Sequence, residues 1–118
     1  MNEFQKQLMN KMDEYVHLIY KITKSFSKEE LYGVTSQLRR SALSIILNYI
    51  EGFARIKIAV KRNFWEISYG SLKESKYLVH FSFVEKYINQ NDYQRVSNLA
   101  EEIGAMLWRS LEPLSIKT

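Results

Sequence analysis

A chain of 118 residues, 46% of them hydrophobic, is long enough for one domain with a real core and too short for several. It has no cysteine, which excludes a disulfide framework and a thiolate metal site. No apolar run approaches the roughly 18 residues of a membrane span, and the net charge of +4 keeps an anionic partner in view.

The first ten residues, M-N-E-F-Q-K-Q-L-M-N, lack the basic-then-apolar layout of a secretion signal, so a cytoplasmic protein with no membrane partner is expected. Phe4, Leu8, Met12, Tyr15, Ile19, Ile22 and Phe26 recur at steps of four, four, three, four, three and four, a single seam that predicts a first helix over about 3–25. Ser27-Lys28-Glu29-Glu30 matches a capping box, with Ser27 as N-cap and Glu30 at N3. It opens a short turn ending at Gly33, after which Thr35 can cap a second helix. One long helix bent at Gly33 is the alternative.

The second helix, ending between Gly52 and Lys57, is apolar on two faces. Leu38, Ala42, Ile45 and Tyr49 mark one, and Leu43, Ile46, Leu47 and Ile50 the other. Between them runs a polar stripe of Arg40, Ser44, Asn48, Glu51 and Arg55. After the basic linker R-I-K-I-A-V-K-R comes a third helix, about 60–88, also with two apolar stripes. These are Trp65, Tyr69, Leu72, Val79, Phe83 and Tyr87, and Val60, Phe64, Ile67, Leu78, Phe81 and Ile88. Ser68, Ser71, Ser75 and Ser82 form a line of small residues with Gly70 beside it, which suits close helix packing at Gly70 and Ser71.

Asn91-Asp92-Tyr93-Gln94 predicts an N-cap for a fourth helix, which Pro113 stops. No segment alternates at period two for long. The expected fold is all-α, an antiparallel up-down-up-down four-helix bundle forming a single domain over 1–118. Two helices with two apolar faces each cannot be covered by one bundle core, so self-association through the second and third helices is also expected.

Residues 31–62 carry Arg39, Arg40, Arg55, Lys57, Lys61 and Arg62 against Glu51 alone, a balance of +5, while 91–112 have a balance of −2. Phosphate binding is largely electrostatic and needs no base-reading motif, so Arg39, Arg55, Lys57, Lys61 and Arg62 are candidate contacts to RNA or DNA. The bland alternative is a solvated charged face. For Arg40, Ser44, Asn48 and Glu51 the preferred reading is a structural polar network that fixes helix register. Glu74 falls within an apolar stripe and, if buried, needs a cation, with Arg39 or Arg40 the candidate.

Several of these stretches resemble the bundle proteins encoded in intervening sequences of bacterial 23S ribosomal RNA genes. The resemblance rests on Phe26, Glu30-Leu31-Tyr32-Gly33-Val34-Thr35, Gln37-Leu38-Arg39-Arg40, Ser44-Ile45, Asn48, Glu51-Gly52, Gly70-Ser71-Leu72 and Glu74. It covers about residues 15–111, and departs from the family pattern at Ser27, Tyr49-Ile50 and Tyr69. The resemblance implies a non-enzymatic bundle that assembles as a ring-like homopentamer. A more distant similarity, to the accessory variability protein of diversity-generating retroelements, implies nucleic acid and a reverse transcriptase as partners.

A di-metal bundle site needs two Glu-x-x-His pairs and two further glutamates. Glu14 and His17 form one pair, but the only other histidine, His80, has Tyr77 three residues before it. Neither a phosphate-cradling glycine loop nor a nucleophile–base motif is present. No enzyme, metal or cofactor is expected. Two function classes remain: an oligomeric nucleic-acid-binding accessory, and an oligomeric scaffold that binds another protein.

Overall fold

The computed structural model describes residues 1–114, which form four α-helices, two short 3-10 turns and no strand. The helices are α1 (Glu3–Thr23), α2 (Val34–Phe53), α3 (Ile58–Val84) and α4 (Gln90–Leu111). They fill a body of 45 × 25 × 25 Å, and each packs on its chain neighbours while α1 also packs on α4. Ser44 meets Ser71 and Tyr49 meets Trp65 across α2 and α3, and Tyr69 meets Trp108 and Phe83 meets Tyr93 across α3 and α4.

The heptad seam of α1 is buried from Leu8 to Ile22, and so is the first apolar face of α2, with Leu38, Ala42, Ile45 and Tyr49 all inside. From α4, Val96, Leu99, Ile103 and Leu107 close the core. On α3 the two expected stripes are redistributed. Of the second stripe, Leu78 and Ile88 lie in the core, whereas Val60, Ile67 and Phe81 stay exposed.

The helix ends differ from the expected ones in instructive ways. At α1 the side chain of Asn2 accepts from the Gln5 amide at 2.8 Å while Gln5 returns a bond to the Asn2 amide, a complete capping box. Ser27 makes no such bond, and Glu30 instead accepts from the Tyr87 hydroxyl at 3.0 Å. Gly33, not Thr35, is the N-cap of α2, and Thr35 lies buried inside the first turn. The cap of α4 is Asn89, which accepts from the Asp92 amide at 2.8 Å, two residues before the Asn91 expected from sequence. Helix α3 stops at Val84 rather than 88. Lys86 adopts φ 65°, and the amides of Lys86 and Tyr87 reach back to the carbonyls of Phe83 and Ser82, a Schellman ending built without glycine.

Ser68, Ser71 and Ser75 all point inward from α3. Ser68 donates to the Ile45 carbonyl at 2.6 Å, Ser71 pairs with Ser44 at 2.7 Å, and Ser75 pairs with the Tyr15 hydroxyl at 2.7 Å. Small hydroxyl side chains let α3 sit close to α2 and α1 while leaving none of these polar groups without a partner. The tightest approach in the chain is at Gly52, where an added Cβ would lie 2.3 Å from Nε1 of Trp65. Gly70, expected at a close contact, has open space around it in this chain.

Candidate functional site

The two expected polar sets occupy different parts of the molecule. Ser44 and Asn48 lie half-buried between α2 and α3, with the Asn48 amide donating to both the Ser44 carbonyl and hydroxyl at 2.9 Å. The Ser44–Ser71 pair extends this chain onto α3. Arg40 is exposed at one end of the stripe, and at the other Glu51 pairs with Arg55 one turn on. Glu74 does not join them. It is exposed on α3, and Arg39 is engaged elsewhere, its Nε donating to Thr23 at 2.9 Å and its guanidinium lying 4.7 Å from the Tyr20 ring. Burial, the condition under which Glu74 would need Arg39 or Arg40, is not met within this chain. Its place in the apolar stripe is a place on the exposed side of that stripe.

The five candidate phosphate contacts also divide. Arg55, Lys57, Lys61 and Arg62 cluster where α2 hands over to α3. Arg39 lies sixteen residues before Arg55, about 24 Å away along a helix rising 1.5 Å per residue. The corner is built from both helix ends. Lys57 is the N-cap residue of α3, offers no side-chain cap bond, and stands ahead of a first turn with no acidic residue. A cation at a helix N-terminus opposes the macrodipole, so both the charge and the orphan amides of that turn favour an anion. Arg55 lies over the Phe64 ring at 4.8 Å, and Lys61 lies 5.8 Å from both Phe53 and Trp65. These rings hold the two cations in place without neutralising them. Arg55 and Arg62 do carry counter-charges, from Glu51 and from Glu66 at 3.0 Å, so Lys57 and Lys61 are the cations here without an ion pair among the described residues.

Next to this corner runs an apolar surface that the chain leaves uncovered. Leu47 is 57% exposed and Ile50 44% on α2, with Ile67 at 43% on α3. The linker adds Ile56 at 97% and the start of α3 adds Ile58 at 62%. Sequence reasoning had read the linker for its charge and passed over these isoleucines; an apolar residue between two cations was the available signal. Among the described residues, no group of three or more His, Cys, Asp or Glu is placed to hold a metal, and no helix is long and apolar enough to cross a membrane.

Two comparisons with known proteins bear on this arrangement. A family model described as the 23S rRNA-intervening sequence protein matches residues 5–109. Among solved structures, a protein of unknown function from the S23 ribosomal protein family of Bacteroides thetaiotaomicron superposes with a TM-score of 0.86. It is 22% identical, and the match covers 92% of this chain and 98% of that one, which establishes a shared fold. No curated protein matches the chain.

Proposed function

The chain belongs to the 23S rRNA-intervening sequence protein family, and from that premise we propose that it is a non-enzymatic, antiparallel up-down-up-down bundle that self-assembles and binds RNA or DNA through phosphates. The observation that carries the reading is the α2–α3 corner, where an uncapped helix start is surrounded by Arg55, Lys57, Lys61 and Arg62. Assembly repeats that corner around a symmetry axis, as a homopentameric ring would, and multiplies a modest local charge. Arg39 belongs to a separate end. Ser44, Asn48 and Glu51 act in this proposal as packing groups that fix helix register, and Gly70 serves a close approach between copies of the chain.

The test is binding to arbitrary RNA and DNA as salt is varied. Each phosphate contact contributes about −0.9 to the log–log slope on duplex DNA. Changing Lys57, Lys61 and Arg62 together to Gln is expected to flatten the slope by roughly that amount per lost contact and to weaken all sequences alike, with helical content unchanged. Parent-like affinity of this variant at low salt would remove the corner as the site. A protein-scaffold reading, supported by the exposed Ile56 and Ile58, would then take its place.

The assembly half has its own test. Leu47 is mostly exposed in the chain, so Leu47→Lys takes little from the bundle core. Light scattering is expected to show an oligomer for the parent and a smaller species for Leu47→Lys, with equal circular dichroism. A parent that is monomeric at micromolar concentration overturns the assembly.

A further inference from the structure

The end of the bundle where α2 begins, remote from the basic corner, carries a second set of unsatisfied groups. Gly33 has no side chain with which to cap α2, and the first turn contains no acidic residue. The amides of Val34, Thr35 and Ser36 donate to no backbone or side-chain acceptor among the described residues. Independently, Thr35 is 3% exposed and its hydroxyl has no hydrogen-bond partner. A helical threonine ordinarily returns its hydroxyl to a carbonyl one turn back, and a buried donor left without an acceptor is costly.

An open hollow of about 450 Å³ adjoins these groups, lined in part by Tyr20, Tyr32, Thr35, Ser36, Arg39 and Arg40. Its volume falls in the roughly 300–1,000 Å³ range of small-molecule sites. Arg39 is held in position: its Nε donates to the Thr23 hydroxyl, which donates in turn to the Ile19 carbonyl at 2.7 Å. That anchor uses one of the five guanidinium donors and leaves the rest for a ligand. Arg40 is exposed and makes no ion pair among the described residues, and Tyr32 is 92% exposed beside it. The carboxylate of Glu30 also lies at this helix start, its Oε2 3.1 Å from where a Cβ on Gly33 would be. It is held by Tyr87 and lines a different hollow with Val34, Gln37 and Leu78.

We propose that this end is a nucleotide-binding site, in which the first-turn amides of α2, the Thr35 hydroxyl, Arg39 and Arg40 hold a phosphate and Tyr32 stacks on the base. Orphan amides, the positive end of a helix and two guanidinium groups recognise a phosphate. An exposed aromatic ring one helix turn away accepts any base face. The nucleotide comes either free or as one unit of a single strand. The site needs neither the basic corner nor assembly, so it is tested separately from both.

The test uses the full chain with adenosine 5′-monophosphate, adenosine, inorganic phosphate and a short oligoadenylate, read by calorimetry and by amide NMR shifts. The monophosphate is expected to bind and to shift the amides of Val34, Thr35 and Ser36, with adenosine about tenfold weaker or worse. Thr35→Val and Arg40→Gln are each expected to weaken it by about tenfold, without lowering Tm, since neither removes a partnered group. Tyr32→Ala should weaken the monophosphate and leave inorganic phosphate unaffected. An oligoadenylate no tighter than the monophosphate identifies the free nucleotide as the source. One that binds far more tightly, yet loses affinity in the same variants, identifies the strand. Parent affinity in both Thr35→Val and Arg40→Gln, absent shifts at the start of α2, or phosphate binding as tightly as the monophosphate overturns the proposal. The Lys57, Lys61 and Arg62 triple Gln variant should keep the monophosphate affinity, so failure here and failure of the basic corner are read separately.

Discussion

Gly52→Ala is expected to destabilise the bundle by about 2–4 kcal/mol, although the same change in an ordinary helix interior stabilises by about 0.5–1 kcal/mol. The added Cβ would fall 2.3 Å from Nε1 and 2.4 Å from Cδ1 of Trp65, and 3.3 Å from the Lys61 carbonyl. Trp65 is 4% exposed and stacks on Tyr49 with ring centroids 5.2 Å apart, so its ring cannot swing aside freely. Moving it also breaks the bond from Nε1 to the Tyr49 carbonyl at 3.0 Å and leaves a buried donor without an acceptor. Thermal unfolding should show a Tm lower by about 10 °C or more for a domain of this size. Gly70→Ala is the control, because nothing lies within 4 Å of its added Cβ, and it should raise stability slightly under conditions where the chain is monomeric. A Gly52→Ala variant as stable as the Gly70→Ala one would show that α2 and α3 can separate at that point without cost.

The same corner explains what could and could not be read from the sequence. The periodic seam of α1 and the inner face of α2 follow from burial alone, and from Leu8 to Ile22 and from Leu38 to Tyr49 those residues are inside as the spacing requires. The second stripe of α3 misled because a helix of 27 residues is long enough for its core-facing side to drift around the axis. Leu78 therefore turns into the core while Ile67, earlier on the same stripe, turns out, and Ile88 reaches the core from beyond the end of the helix. The end of α3 was illegible for another reason. A non-glycine residue in the left-handed region costs roughly 1–2 kcal/mol, so Lys86 gives no local signal of a stop. The fold supplies that cost from elsewhere, through burial of Ile88 and packing of the Tyr87 ring on Phe26 at 5.5 Å.

Site legibility divides along the same line. Charge is additive along a sequence, so the basic α2–α3 corner could be located by counting. Orphaned groups depend on what the fold leaves out, which no count reveals. Thr35 shows this plainly. Its residue type suggested a cap whose hydroxyl would be satisfied, but Gly33 takes the cap position and Thr35 lies two residues inside the helix with its hydroxyl unpartnered. The Ser27–Glu30 pattern failed similarly, because the Tyr87 hydroxyl, fifty-seven residues from Glu30, holds that carboxylate. Gly52 was noticed only as part of a motif, while its physical role depends on a tryptophan on another helix.

Stability should fall steeply between pH 10 and 12, with the buried hydroxyls of Tyr15 and Tyr49 both contributing. Burial pushes the Tyr15 hydroxyl up from 10.0 to about 12, partly offset by the bond to Ser75. Tyr49 is raised in the same direction by burial, its hydroxyl near Ser110 but without a hydrogen bond of full geometry. A raised value means that the folded state holds the proton more tightly than the unfolded one. The contribution is therefore fully present below pH 10 and is lost as pH rises through about 12. Two pH units at Tyr15 correspond to about 2–3 kcal/mol, a large share of the 5–15 kcal/mol that holds a domain of this kind together. Tyr15→Phe should cost about 1–2 kcal/mol at pH 8, since the Ser75 hydroxyl is left buried without its partner. Yet it should lose less stability than the parent between pH 10 and 12, because that titrating group is gone. Denaturant unfolding of the two proteins at pH 8 and pH 11.5 measures the difference directly. If Tyr15→Phe declines as steeply as the parent, the Tyr15 hydroxyl does not set the alkaline limit, and Tyr49 is the buried hydroxyl left to do so.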